Sequence, residues 1–311
     1  MVDLIFISLA AVAISAFVGA FAAFGGLVER KLIGRIHSRY GPMETGPHGI
    51  LQTVADAVKF IAKEPLIPRL ADKPVFIIVP ILMVALPFTI LTVLPWGHIP
   101  VWSFKYDLLF IISLLAINPV LILIGAWAGN SKYATLGGLR AAAQILAYEG
   151  VLFLSLAPLV YAAGSFSVAD IVAYQREHLW LAILQPLSFL LFLFALIGIS
   201  ERQPLDLPEA ESELVQGWMT EYGGVLFAMI LLAQYITLWI GAVSLAALFF
   251  GGWGDVFGVF GFLAKIVLGV IVFIFLRATY FRLRLDQLLA FTWRGLIPLG
   301  IANLLLIVLI F

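Results

Sequence analysis

Between Glu201 and Glu221 the sequence places six carboxylates within 21 residues, Glu201, Asp206, Glu209, Glu211, Glu213 and Glu221, with Arg202 as the only basic residue among them. Carboxylates this close repel one another when all are ionised, so they titrate as a coupled group with some pKa values raised towards neutrality. Such a group can hold a mobile proton and pass it on. Helix capping accounts for part of the set. Asp206-Leu207-Pro208 reads as an N-cap with proline in the first turn, and Glu209–Met219 can follow as a helix whose N-terminus favours acidic residues. Capping explains Glu209 and Glu211 better than it explains all six, which are joined by Glu149 at the start of one apolar stretch and Glu29 at the end of another. Ionisable groups at membrane depth are functional by default, commonly as proton relays.

Other chemistry is excluded or left open by residue type. The chain has no cysteine, which removes disulfides, thiolate catalysis, cysteine-bound iron–sulfur clusters and attached c-type haem from this polypeptide. His37, His48, His98 and His178 are not spaced as a metal site and read as solvated loop residues. Lys265, inside an apolar stretch, has three readings: part of a relay, a side chain snorkelling to the outer interface, or the partner of a carboxylate on a neighbouring helix.

The elements that must hold these residues are membrane helices. Of 311 residues, 63% are hydrophobic and only 12% charged, and the mean hydropathy is +1.10. Eighteen basic and eighteen acidic residues cannot coat so apolar a chain, so its surface must face lipid. A net charge of zero argues against a nucleic-acid partner. Eight apolar stretches are long enough to span: Leu4–Val28, Pro74–Pro95, Leu108–Ala128, Ala143–Ala163, Leu179–Ile199, Val225–Phe250, Val256–Leu276 and Gly295–Phe311. The first is too long for a signal-peptide core, and no sizeable soluble domain fits between the spans, so residues 1–311 read as one integral membrane domain of all-α class.

Charge distribution orients this bundle. Odd-numbered loops hold fifteen of the eighteen basic residues, which puts them in the cytoplasm and both termini outside. Loop one carries a net charge of +3 and loop five −5, so the two are expected to meet. Within loop one, Ile50, Val54, Val58 and Ile61 share one helical face, between the turn signals Gly46-Pro47 and Pro65. That is the pattern of a helix lying flat at the interface, for which the bland reading is a surface anchor.

Six segments, in order, resemble the subunit 1/H family of respiratory complex I: VERKLIGRIHSRYGP, GPHGILQTVADAVKFIAKEPLIP, GNSKYATLGGLRAAAQILAYE, REHLW, DLPEAESELVQGWMTEYGG and RATYFRLRLDQLLAFTWR. The resemblance implies a membrane subunit joining the redox arm of proton-pumping NADH:quinone oxidoreductase to its membrane arm. It implies that Glu29, Arg30, Asp56 and Arg277 line a quinone tunnel, with quinone as substrate. It also implies that Glu149, Glu201, Asp206, Glu209, Glu211, Glu213 and Glu221 relay charge. No cofactor is expected on this chain; iron–sulfur clusters belong to the peripheral partner subunits, beside other membrane-arm partners, in an energy-transducing prokaryotic plasma membrane. The sequence departs from the family at Met43-Glu44-Thr45, at Thr53, and at Gln234, where Ala-Glu-Tyr is usual and Ala233-Gln234-Tyr235 stands. These departures bear on the acceptor, and a homologous subunit of a membrane-bound nickel–iron hydrogenase or of a ferredoxin- or F420-linked enzyme is the alternative.

Two functions from other classes compete. A secondary transporter would show internal repeats and charges at broken helix midpoints, and neither is evident. A purely structural anchor would not need a costly cluster of acids.

Overall fold

A computed structural model describes residues 2–96, 104–202, 205, 215–253 and 258–310, with the backbone alone for residues 2–15, 17 and 310. Every regular element among them is helical. In chain order they are α1 (Val2–Ile36), α2 (Gln52–Ala62), α3 (Lys73–Val93), α4 (Asp107–Leu115), α5 (Asn118–Ala128), α6 (Lys132–Ala163), α7 (Val168–Glu177), α8 (Leu181–Leu184), α9 (Pro186–Ile199), α10 (Gly224–Phe249), α11 (Gly258–Thr279), α12 (Leu285–Phe291) and α13 (Ile297–Ile310).

Six helical segments among the described residues are long and apolar enough to cross a membrane: Lys73–Val93, Asp107–Ala128, Lys132–Ala163, Gly224–Phe249, Gly258–Thr279 and Leu285–Leu309. The shorter apolar α9 stands at the position of the fifth expected span, and α1, 35 residues long, at that of the first. Proline accounts for the breaks. Pro119 opens α5 where α4 ends, and Pro186 starts α9 after Gln185, whose φ of −132° and ψ of 64° are non-helical. The start of the seventh expected span, Val256, and His98 lie outside the described residues.

The fourth span begins earlier than its hydropathy indicates. Helix α6 starts at Lys132 and runs through a polar stretch whose composition predicts a loop, which places Glu149 near mid-helix rather than at a helix start. Tertiary packing overrides composition here. At Gly137 a Cβ would lie 2.5 Å from the Trp218 backbone nitrogen, so the missing side chain lets α6 lie directly against the end of loop five. Trp218 is fully buried there, and Phe76 of α3 stacks on Tyr222 with ring centroids 4.1 Å apart.

Around this centre α6 packs on α5, α9 and α13, while α10 packs on α1, α3 and α11. After α6, α7 forms a separate helix that the hydropathy pattern does not announce. Asp107 Oδ1 accepts from the Val168 N–H at 2.9 Å, satisfying an open donor of the first turn of α7. Lys265 donates to the carbonyls of Phe250 and Gly252, just past the C-terminus of α10, and lies 5.2 Å from the Trp180 ring centroid. A cation at that negative helix end is favourable.

Candidate functional site

Helix α1 continues past its apolar run, so its last turns carry charged residues out over the end of the bundle. Glu29 and Arg30 are consecutive, hence about 100° apart on the helix, and each forms an ion pair in a different direction. Arg30 Nη2 reaches Asp56 Oδ2 of α2 at 2.8 Å. Asp56 is fixed further by Gln52, whose amide donates to its Oδ1 at 2.9 Å. On its other side α2 packs Phe60 against Phe227 of α10. Ile50, Val54, Val58 and Ile61 are all exposed, as a helix lying at an interface requires.

Glu29 points the other way, into the bundle, and is buried. Arg277, in the last turn of α11, forms an ion pair with its Oε1. From loop five, Arg202 places Nη1 3.3 Å from Oε2. The Arg202 guanidinium also lies 4.4 Å from the centroid of Tyr235, a residue of α10 whose hydroxyl is hydrogen-bonded to Glu29. Burial alone would push the Glu29 carboxyl up, but the two guanidiniums and the Tyr235 hydroxyl outweigh it and hold the carboxyl below the usual carboxylate range.

Glu201 precedes Arg202 and is buried, with a positive φ of 52°. The Gln234 amide donates to its Oε2 at 3.3 Å. Adjacent residue pairs from two elements, Glu201-Arg202 and Gln234-Tyr235, thus knit loop five to α10 and, through Glu29, to α1 and α11. Loops one and five do meet, at Glu29 and Arg202, but with the signs opposite to their net charges: the basic loop supplies the acid and the acidic loop its one base.

Three of the residues expected from sequence, Glu29, Arg277 and Glu201, come together at this site, and Arg30 with Asp56 forms a second pair beside it. Glu149 stands apart on α6, where its Oε1 is buried without a hydrogen-bond partner among the described residues. Glu221, half-buried, packs beside Gly129 at the end of α5. Asp206, Glu209, Glu211 and Glu213 lie outside the described residues. Only the end of the helix expected over Glu209–Met219 is described, and it is a turn followed by the single 3-10 turn Gly217–Met219. The positive φ of Val215 and Gly217, 64° and 59°, stops an α-helix there. Sequence reading gives no role to Arg202 or Tyr235. The signals are present: Arg202 is the sole cation in an acidic loop, and Tyr235 follows the altered Gln234.

Beyond Arg30 the polar extension of α1 and loop one enclose an open cleft of about 670 Å³ lined by Lys31, Arg35, Arg39 and His48, with no carboxylate in its wall among the described residues.

Comparison with known proteins gives a consistent result. A family model described as NADH dehydrogenase matches residues 9–308. The H-type subunit of the NADH-quinone oxidoreductase of Bacillus cytotoxicus is 42% identical over 314 aligned residues, covering 98% of this chain and 94% of that protein. Its counterpart in Geobacillus kaustophilus is 42% identical over 303, covering 94% and 90%. That of Anoxybacillus flavithermus is 40% identical over 292, covering 91% and 87%. Matched from near one end to the other, the chain belongs to the NADH dehydrogenase membrane-subunit family, the subunit 1/H family of NADH-quinone oxidoreductase.

Proposed function

We propose that this chain serves as the H-type membrane subunit of a redox-driven proton pump, lining the access of quinone and relaying charge from the redox arm into the membrane arm. The observation that carries this reading is the convergence of Arg202 and Arg277 on the buried Glu29. One carboxylate there joins loop one, loop five and two spans, so a charge change at the loop-one side is felt directly by the acids of loop five. Glu29, Arg30, Asp56 and Arg277 form the wall passed by the quinone headgroup. Glu201, Glu149, Glu221 and the loop-five acids Asp206, Glu209, Glu211 and Glu213 carry the charge onward, and Glu149 supplies a half-buried acid whose Oε1 is enclosed.

The chain contributes no redox centre; electrons arrive through iron–sulfur partners of the peripheral arm, and quinone is the substrate. Odd loops face the cytoplasm and both termini lie outside. The basic cleft of Lys31, Arg35 and Arg39 suits docking of an acidic surface of those partners. The test is a quinone-site inhibitor applied to the assembled enzyme in proteoliposomes with its native electron donor. Electron transfer and proton uptake should stop together. If electron transfer continues and hydrogen or another soluble product accumulates, the quinone reading is wrong.

A further inference from the structure

Gln144 is wholly buried on α6, and its amide nitrogen donates to two backbone carbonyls of the neighbouring segment, Gly198 at 3.2 Å and Leu205. Gly198 lies in the last turn of α9, where carbonyls have no partner within the helix. The Leu205 N–H donates to the Arg202 carbonyl at 2.9 Å. Between these anchor points stand Glu201 and Arg202. Glu201 holds a left-handed backbone conformation, which a non-glycine residue keeps only where its surroundings over-determine it.

We propose that Gln144 is a positioning residue for the charge relay: its two hydrogen bonds pin the Gly198–Leu205 segment to α6, so that Glu201 meets Gln234 and Arg202 reaches Glu29. This rests on the relay reading above. Two acceptors converging on one atom fix which end of the amide is the NH2 group, because its oxygen would repel both carbonyls. Tyr148, one turn further along α6, presses its ring on the same segment: a Cβ at Gly198 would lie 2.4 Å from it. Helix α6 therefore grips the start of loop five twice, once by hydrogen bonds and once by packing. No isosteric residue replaces the amide. Leucine offers no donor, and an ionised glutamate offers only acceptors.

The chain has no cysteine, so a single thiol reports cleanly. Leu205→Cys, at a position 1% exposed, is placed in the full-length chain within the assembled enzyme and labelled with a membrane-impermeant maleimide. Adding Gln144→Leu should speed labelling about tenfold or more per assembled complex, as local opening of the segment requires. With Gln144→Glu, labelling relative to the Leu205→Cys parent should accelerate as pH rises, because the neutral acid still donates one hydrogen bond and the carboxylate none. A packing role alone would leave Gln144→Leu, which keeps the volume and loses only the donor, at the parent rate. Parent-rate labelling in both variants overturns the proposal. Proton translocation per electron, measured in the same membranes, separates it from the relay. Faster labelling with unchanged stoichiometry would keep the positioning role and remove the relay reading, whereas lowered stoichiometry with parent-rate labelling would remove the positioning role.

Discussion

Arg202 and Glu29, 173 positions apart in the chain, approach to 3.3 Å between Nη1 and Oε2 at the junction of loop five and α1. Arg277 closes the other side of the carboxylate. With Glu201 beside them the formal charges of two acidic and two basic side chains sum to zero, which suits a site where desolvation penalises net charge. Adding or withdrawing one proton leaves a buried charge uncompensated. A cluster of this kind therefore responds to a change of charge nearby by rearranging or by passing a proton on.

Two ion pairs on consecutive residues should differ sharply in their contribution. The Glu29 side chain is 4% exposed, so Glu29→Gln removes the buried carboxylate that both guanidiniums share and should cost about 3 kcal/mol or more. The Arg30–Asp56 pair is 52% and 25% exposed, so Asp56→Asn should cost at most about 1 kcal/mol. Thermal unfolding of the purified complex checks the order, and equal losses would contradict the burial argument.

Acid should test the Glu29 pairing. Because the Glu29 carboxyl is held low in the folded chain, its stabilisation is present above the unfolded value, about 4.3, and is lost as pH falls through the lowered folded value. The stability advantage of the parent over Glu29→Gln should thus stay constant from pH 7 to about 5 and disappear only in more acid solution. An advantage that faded near pH 7 would mean that Glu29 is not held ionised by Arg202 and Arg277.

How far the sequence reveals this site depends on which forces act locally. Spans are legible because lipid demands long apolar runs, and α2 because its apolar residues recur at helical spacing. The extension of α6 back to Lys132 is not legible. Its polar surface is accommodated by Gly137 lying against Trp218, a contact between residues far apart in the chain. Arg202 and Tyr235 escape for a similar reason, since an arginine in an acidic loop has a local explanation that hides its distant partner. The family resemblance supplies Glu29 and Arg277, but not the residues that bind them together.

Packing alone predicts the effect of Gly198→Ala. A methyl group there would lie 2.4 Å from the Tyr148 ring, and the ring is fully buried, so neither can move freely. Overpacking of this kind should cost about 1–3 kcal/mol, and shortening the ring with Tyr148→Leu should recover part of it. Additive losses in the double variant would show that the two residues do not press on one another.

Orientation can be read with single cysteines at exposed positions. Glu44→Cys in loop one should react with an impermeant maleimide only from the cytoplasm, and Glu177→Cys at the end of α7 only from outside. Labelling of intact cells and of inverted vesicles distinguishes the two. The opposite accessibility would invert the topology and move the Glu29 site to the outer face.

Gln234 stands where the family resemblance implies a carboxylate, yet it is not idle: its amide donates to Glu201 Oε2 at 3.3 Å. An amide donor stabilises the carboxylate form of Glu201 without adding charge of its own. Gln234→Glu would set two carboxyl groups within hydrogen-bond distance beside Glu29, Arg202, Arg277 and Tyr235. Like charges so close cannot both remain ionised, so the pair would share a proton and titrate in two steps. If Glu201 lies on the proton route, the variant should retain a proton at neutral pH, and its coupled turnover should show an ionisation that the parent lacks. Gln234→Leu, with neither donor nor acid, should lower coupled turnover without adding that ionisation. The measurement is proton translocation per electron against pH for parent and both variants in proteoliposomes. Superimposable profiles would mean that protons pass this protein without touching Glu201.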